Sequence, residues 1–208
     1  MAEARQQTTA RTRDKEAKIA RILDATLRLI EVKGYDGVTS RDIAREAGVS
    51  NGLVFRYFPG GKPAIVKALS LRFARDTLHL YTSCKPDPDD FPRYLRTVLS
   101  SVIAYDREHY QMFAAITTVL LADKRVVLGP EDQIFFNPAA LADFYGQFKG
   151  LDIGRLENPG EFVTQWLEIV NAVILHHLAY LSAFGTDEKL IDALVNLSLK
   201  LWDYPQDR

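Results

Sequence analysis

The chain has 208 residues, with 26 Lys+Arg against 27 Asp+Glu and a formal net charge of −1. It is 47% hydrophobic and 25% charged, close to the average soluble protein, so it can bury a sizeable core without metal or disulfide staples. A single cysteine, Cys84, excludes an intrachain disulfide and a multi-cysteine zinc site, and suits a cytoplasmic location. The opening MAEARQQTTARTRDKEAK is polar and lacks the apolar segment of a secretory signal. No apolar run approaches the roughly 20 residues that span a bilayer, so no membrane partner is expected. The near-zero charge is uneven. Residues 1–62 carry 12 Lys+Arg against 8 Asp+Glu, and the rest carries 14 against 19. A basic end on an acidic body points to an anionic partner at the amino end.

Every readable element is helical. A polar tail, residues 1–14, precedes a first helix predicted over Lys15 to Lys33. Its stripe is Ile19, Ile22, Leu23, Thr26, Leu27 and Ile30. Gly34 follows, where a left-handed helix end is usual. Thr39 can cap a short second helix, with Asp42 reaching back as in a capping box. Ile43, Ala44 and Ala47 form its inner face, and Gly48 ends it. Ser50 then caps a third helix of two turns, about Asn51 to Tyr57. Pro59-Gly60-Gly61 breaks that helix. Pro63 sits in the first turn of a fourth, which runs to about Thr82. Helices are further predicted at about 90–106, 108–123, 139–149, 161–184 and 187–202. A loop covers Val126 to Pro138, and another covers 150–160. The expected architecture is all-α. A three-helix head (15–61) precedes a larger helical body (62–208).

The second and third helices, joined through Ala47-Gly48-Val49, fit a helix-turn-helix. Ile43, Ala44, Val49, Val54 and Phe58 would hold the pair together. The third helix would then be free to enter a major groove. Its outer face carries Ser50, Asn51, Gly52, Leu53, Phe55, Arg56 and Tyr57. Gly52 costs a helix about 1 kcal/mol relative to alanine, which makes sense if the backbone must approach another surface. Arg41, Arg45, Arg56 and Lys62 surround that helix with cations.

The stretch from Lys18 to Leu69, KIARILDATLRLIEVKGYDGVTSRDIAREAGVSNGLVFRYFPGGKPAIVKAL, resembles the amino-terminal domain of TetR-family transcriptional regulators. The matching pieces are ILDATLRLI before Gly34, Thr39 to Ala44, Ala47-Gly48-Val49-Ser50, and Phe55 to Phe58 followed by Lys62. Phe55 stands where the family usually carries a tyrosine, and three residues rather than two precede Lys62. The resemblance implies a ligand-responsive DNA-binding regulator, most simply a repressor. It would bind double-stranded palindromic DNA as a homodimer and need no cofactor. It implies that Thr39 and Arg41 touch phosphates, and that Ser50, Asn51, Gly52 and Leu53 face base edges. Arg56, Tyr57 and Lys62 would hold further phosphates. Two such heads would read half-sites about 34–36 Å apart, or a multiple of that.

The body is rich in large apolar residues. Tyr105, Tyr110, Phe113, Ile116, Phe144, Phe148 and Trp166, with His177, are candidates to line a pocket for a small hydrophobic effector. Phe91, Tyr94, Met112, Phe135 and Phe136 add to that apolar content. Plain core packing suits each of them equally. His176 and His177 point about 100° apart on a helix, so they cannot chelate one metal. The last two helices are apolar on two sides and must bury both. A second copy of the chain is the simplest cover, with Trp166, Val170, Ile174, Leu181, Leu194 and Leu201 as candidates. The fourth helix would link head to body, so that a ligand bound in the body alters the spacing of the heads.

An enzyme is the main rival class. Gly60-Gly61-Lys62 lacks the first glycine and the Ser/Thr of a phosphate loop. H-E-x-x-H and G-x-S-x-G are absent from the sequence, so an enzyme is not expected. The alternative is a helical small-molecule-binding or interaction protein without sequence-specific DNA binding.

Overall fold

The computed structural model describes residues 2–122, 137–180 and 183–205. The predicted residues Phe135, Phe136 and Leu181, and most of the 126–138 loop, lie outside the described residues. So do the side chains of Arg5 and Arg11.

The described chain is helical, with no strand among the described residues. Its helices are α1 (Ala2–Lys33), α2 (Ser40–Glu46), α3 (Asn51–Tyr57), α4 (Lys62–Ser83) and α5 (Phe91–Glu108). They continue with α6 (Tyr110–Ala122), α7 (Pro138–Tyr145), α8 (Pro159–Ala179) and α9 (Asp187–Leu201), with a 3-10 turn at Ile153–Arg155. The caps are legible in the sequence. Asp90, Asn137, Asn158 and Thr186 each accept a backbone N–H of the first turn of α5, α7, α8 and α9. A proline stands in the first turn of α5, α7 and α8, where its missing N–H costs nothing.

Three boundaries differ from the periodicity. α1 begins at Ala2 rather than near Lys15. Ala, Gln, Arg and Glu are good helix formers, so a polar stretch without an apolar stripe still propagates an existing helix. α7 ends at Tyr145, with Gly146 as its C-cap, and α8 ends at Ala179, where Tyr180 turns extended.

The chain divides into two compact units. The first holds residues 1–73 with 111–128, and the second holds 74–110 with 129–208. The division falls inside α4, whereas the sequence reading starts the body at Lys62. In the first unit α1 packs on α2 and α2 on α3. Its core is built from Ile22, Leu23, Ile30, Val38, Ile43, Val54, Ile65, Val66 and Leu69, all buried. Met112, Ile116 and Val119 of α6 are buried at helical spacing in the same unit. In the second unit α5 packs on α8 and α9, and α7 on α8. Its core is dense in rings. Phe91, Tyr94, Tyr145, Phe148, Trp166 and Trp202 meet with centroids 4.8–6.5 Å apart, mostly tilted or edge-on. Trp166 donates Nε1–H to Ser198 Oγ at 3.0 Å, so its polar edge is satisfied inside the core.

Candidate nucleic-acid interface

The head is set by its caps and one glycine. Thr39 Oγ1 accepts the Asp42 N–H at 3.2 Å, and the Asp42 carboxylate accepts the Thr39 N–H at 3.1 Å, which closes a capping box. Thr39 Oγ1 also donates to Asp42 Oδ2 at 2.6 Å. The side-chain and backbone hydrogen bonds from Thr39 hold the Asp42 carboxyl below its usual value. Ala47 and Gly48 close α2, with Gly48 at φ +63°, a left-handed backbone that favours glycine. Ser50 Oγ accepts the Leu53 N–H at 3.2 Å and starts α3.

α3 is two-faced. Val54 is buried, as is Phe58 just past its end, and they anchor the helix to Ile43, Ala44 and Ala47. Ser50, Gly52, Phe55 and Arg56 are exposed, and Asn51, Leu53 and Tyr57 are half-buried. The expected base-facing set therefore lies on or at the edge of the open side. A Cβ built on Gly52 meets nothing within 4 Å, so nothing in the chain itself requires glycine there. Asn51 Oδ1 is buried and has no hydrogen-bond partner among the described residues.

The cations divide into paired and unpaired. Arg45 bonds Asp42 at 2.6 Å, and Arg28 bonds Glu46 at 3.4 Å. Arg41 and Arg56 are exposed, and neither guanidinium has an ion pair or hydrogen bond among the described residues. Arg56 and Tyr57 border a groove with Asp14 and Lys15 of α1.

Two expected phosphate contacts are engaged within the head. The Lys62 ammonium donates to the Tyr35 carbonyl at 2.6 Å and sits 3.9 Å over the Tyr35 ring. It ties the start of α4 to the turn after α1. Tyr35 is the partner that sequence reasoning missed. An aromatic in a turn carries no pattern, and only the fold brings it to a residue 27 positions away. Thr39 likewise spends its hydroxyl proton on Asp42 rather than offering it outward.

The expected pocket residues are not brought together in one unit. Phe113 and Ile116 belong to the first unit, where Phe113 packs against Phe73 with centroids 5.3 Å apart. Phe144, Phe148 and Trp166 belong to the ring-dense core of the second, where Phe148 and Trp166 are buried. Tyr105 donates to Asp76 Oδ2 at 3.3 Å and stacks on His109, while Tyr110 is half-buried. His177 bonds Asp187 through Nε2 at 3.0 Å.

Four of the expected dimer residues pack inside the second unit. Trp166, Val170, Ile174 and Leu194 are buried in the chain's own core, so they have no face to offer a partner. Leu201 is 44% exposed. On α8, Val163, Leu167, Val170 and Ile174 are buried along one stripe, and on the other Trp166 is buried while Ile169 stays exposed, as do Tyr180 and Leu197. Periodicity marks apolar stripes but does not say which of their residues the chain covers by itself.

Residues 22–69 match the family model described as bacterial regulatory proteins, tetR family. The chain is 30% identical over 112 residues to the HTH-type transcriptional regulator BetI of Burkholderia lata, covering 52% of this chain and 54% of that one. It thus spans about half the length of the curated relatives it matches. Among solved structures, a TetR-family regulator from Streptomyces coelicolor superposes with a TM-score of 0.56 at 25% identity, covering 91% of this chain and 97% of that one. A putative transcriptional regulator from Pseudomonas aeruginosa PAO1 superposes with a TM-score of 0.61 at 18% identity, covering 89% and 90%, and shows the shared fold. In its helix-turn-helix head, residues 22–69, the chain is thus similar in sequence to the tetR family of bacterial regulatory proteins, and over most of its length it shares the fold of solved TetR-family regulators.

Proposed function

We propose that the protein is a DNA-binding transcriptional regulator, most simply a repressor, that binds a palindromic operator as a homodimer and answers to a small-molecule effector held by its second unit. One observation carries the DNA-binding part. α3 is anchored by Val54 and Phe58 while Ser50, Gly52 and Arg56 stand open, and neither Arg56 nor Arg41 of α2 has an anionic partner among the described residues. Such a rod has the dimensions of a major-groove reader. Unpaired arginines at its rim supply phosphate affinity, and the outer face supplies sequence preference. Gly52 fits the same reading, since it leaves the helix surface open to close approach.

The homodimer is supported by the exposed apolar side chains of the last two helices. Ile169 on α8, Tyr180 just beyond it, and Leu197 and Leu201 on α9 are large apolar side chains left exposed, which a second copy would cover. A DNase footprint with random genomic fragments tests the function. A protected palindrome whose affinity falls steeply with salt is the expected result. Salt-insensitive or absent binding would sink it and favour an interaction protein that does not bind DNA.

A further inference from the structure

α1 runs along the head, and its partners mark the path. Arg28 bonds Glu46 at the end of α2. Arg21 lies beside the turn, with Nη1 3.9 Å from a Cβ built on Gly48. Asp14 and Lys15 line one groove with Arg56 and Tyr57 of α3. Followed toward its amino end, α1 thus passes α2, then the turn, then the last turn of α3. Since α1 begins at Ala2, Lys15 stands within a continuous helix and not in a free tail. The helix that packs on α2 also carries Lys15 to the end of α3.

The groove has a volume of about 380 Å³, and its lining favours an anion. Lys15 and Arg56 are exposed, and neither has an ion pair or hydrogen bond among the described residues. Asp14, the one acid of the lining, is bonded by Lys18 one turn on. Tyr57 adds a phenol O–H. Two cations on one groove repel each other, and an anion seated between them turns that repulsion into attraction. The carbonyl end of α3 contributes roughly half a negative charge, which two full cations outweigh. The groove also stands where DNA would offer a phosphate. α3 has seven residues and is about 10 Å long, close to the width of a major groove at about 12 Å. Arg56 lies one turn beyond Gly52 on the same stripe of that helix, so when Gly52 faces the bases, the end of the helix meets the groove wall.

On the reading that α3 enters a major groove, we propose that the groove between α1 and α3 seats one backbone phosphate of duplex DNA, held jointly by Lys15, Arg56 and the Tyr57 hydroxyl. α1 is then part of the DNA-binding surface and not only a support for the two helices behind it. All three side chains donate, and the phosphate oxygens accept. The seat supplies affinity and register but reads no base.

The test uses the full-length protein and a duplex that it selects from a random pool, with the phosphates replaced one at a time by neutral methylphosphonates. Lys15→Gln should weaken binding about three- to tenfold and lower the salt slope by about one, and Lys15→Arg should restore most of the loss. One methylphosphonate position in each half-site should weaken the wild type yet add little in either Lys15→Gln or Arg56→Ala, because both variants have already lost that contact. Different positions for the two variants, or a Lys15→Gln with wild-type affinity and salt slope, overturn the proposal. Lys15→Gln should unfold at the wild-type urea midpoint, and a lowered midpoint would assign Lys15 to the fold and overturn it too. Inorganic phosphate without DNA is the second probe. If phosphate stabilises the wild type but not Lys15→Gln, while both bind the duplex equally, the groove serves a free anion and the DNA assignment is overturned. The two readings fail in different ways. If no duplex is selected, the DNA-binding function falls and the seat with it. If a selected duplex is weakened by Arg56→Ala but not by Lys15→Gln, the function stands and the shared seat falls.

Discussion

The two units solve opposite problems with the same element. In the head, α3 has two turns, one buried anchor of its own in Val54, and a face left to water. In the second unit, α8 buries Val163, Trp166, Leu167, Val170 and Ile174 along most of its length. A helix held by so few contacts depends on its caps and turn, while a helix held by a packed stripe depends on volume. Substitutions should therefore act through local hydrogen bonds in the head and through cavities in the second unit. Function follows the same division. The head keeps polar groups open for a partner, and the second unit buries a few polar groups among apolar ones.

The largest expected effect is in the second unit. Trp166→Ala removes a buried ring that touches Tyr81, Tyr145 and Trp202, and it leaves Ser198 without its donor. A loss of about 3–5 kcal/mol in urea unfolding is expected. A loss below about 1 kcal/mol would mean that this core is loosely packed and would break the comparison.

Next comes the pH dependence of the same unit. Asp106 is raised by burial to about 7 from a model-peptide value of 3.8. The native state therefore holds a proton that the unfolded chain has released between those values. Stability should fall as pH rises through that window, by up to on the order of 4 kcal/mol, and level off above it. Asp106→Asn should flatten the fall, and a slope unchanged by the substitution would assign it to another group.

The head should respond on a smaller scale. Thr39→Ala opens the capping box and should cost about 1 kcal/mol. Asp42 then loses the bonds that hold its carboxyl low. Since a lowered carboxyl stabilises above its unfolded value and loses that as pH falls, the acid-side loss of stability should shrink in this variant. Gly52→Ala has the opposite sign. With open space around the new Cβ, it should stabilise the free protein by about 1 kcal/mol while weakening operator binding. Stabilisation with undiminished DNA affinity would remove the reason offered for that glycine. Smallest in stability is Arg56→Ala, expected within about 0.5 kcal/mol because the side chain is exposed and unpaired among the described residues. Its effect should appear in binding alone, as a uniform loss of affinity across DNA sequences and a shallower salt dependence.

The helix-turn-helix was legible because its determinants are local. Thr39, Asp42, Gly48 and Ser50 act on backbone groups within three or four residues, so their spacing in the chain is their spacing in space. The paired role of Lys62 was not legible, because Tyr35 lies on the far side of two helix ends. Nor was the sorting of the stripes on α8 and α9. Trp166 and Ile169 are three residues apart on neighbouring faces, yet one is buried and the other open. The division of the candidate pocket residues between the units was hidden for a related reason. Aromatic content says how much ring must be buried, and Phe113 and Phe148 satisfied it in different units.

By itself, then, the sequence determined that the chain is helical, where most of its helices start and stop, and that residues 39–58 form a head with one open helix. Helical period, caps and turn glycines act over one or two turns, and they are written in consecutive residues. The tertiary structure alone decided which apolar residues are core, which cations remain unpaired among the described residues, and which polar groups are buried. Those outcomes depend on pairs far apart in the chain, whose contacts only packing selects.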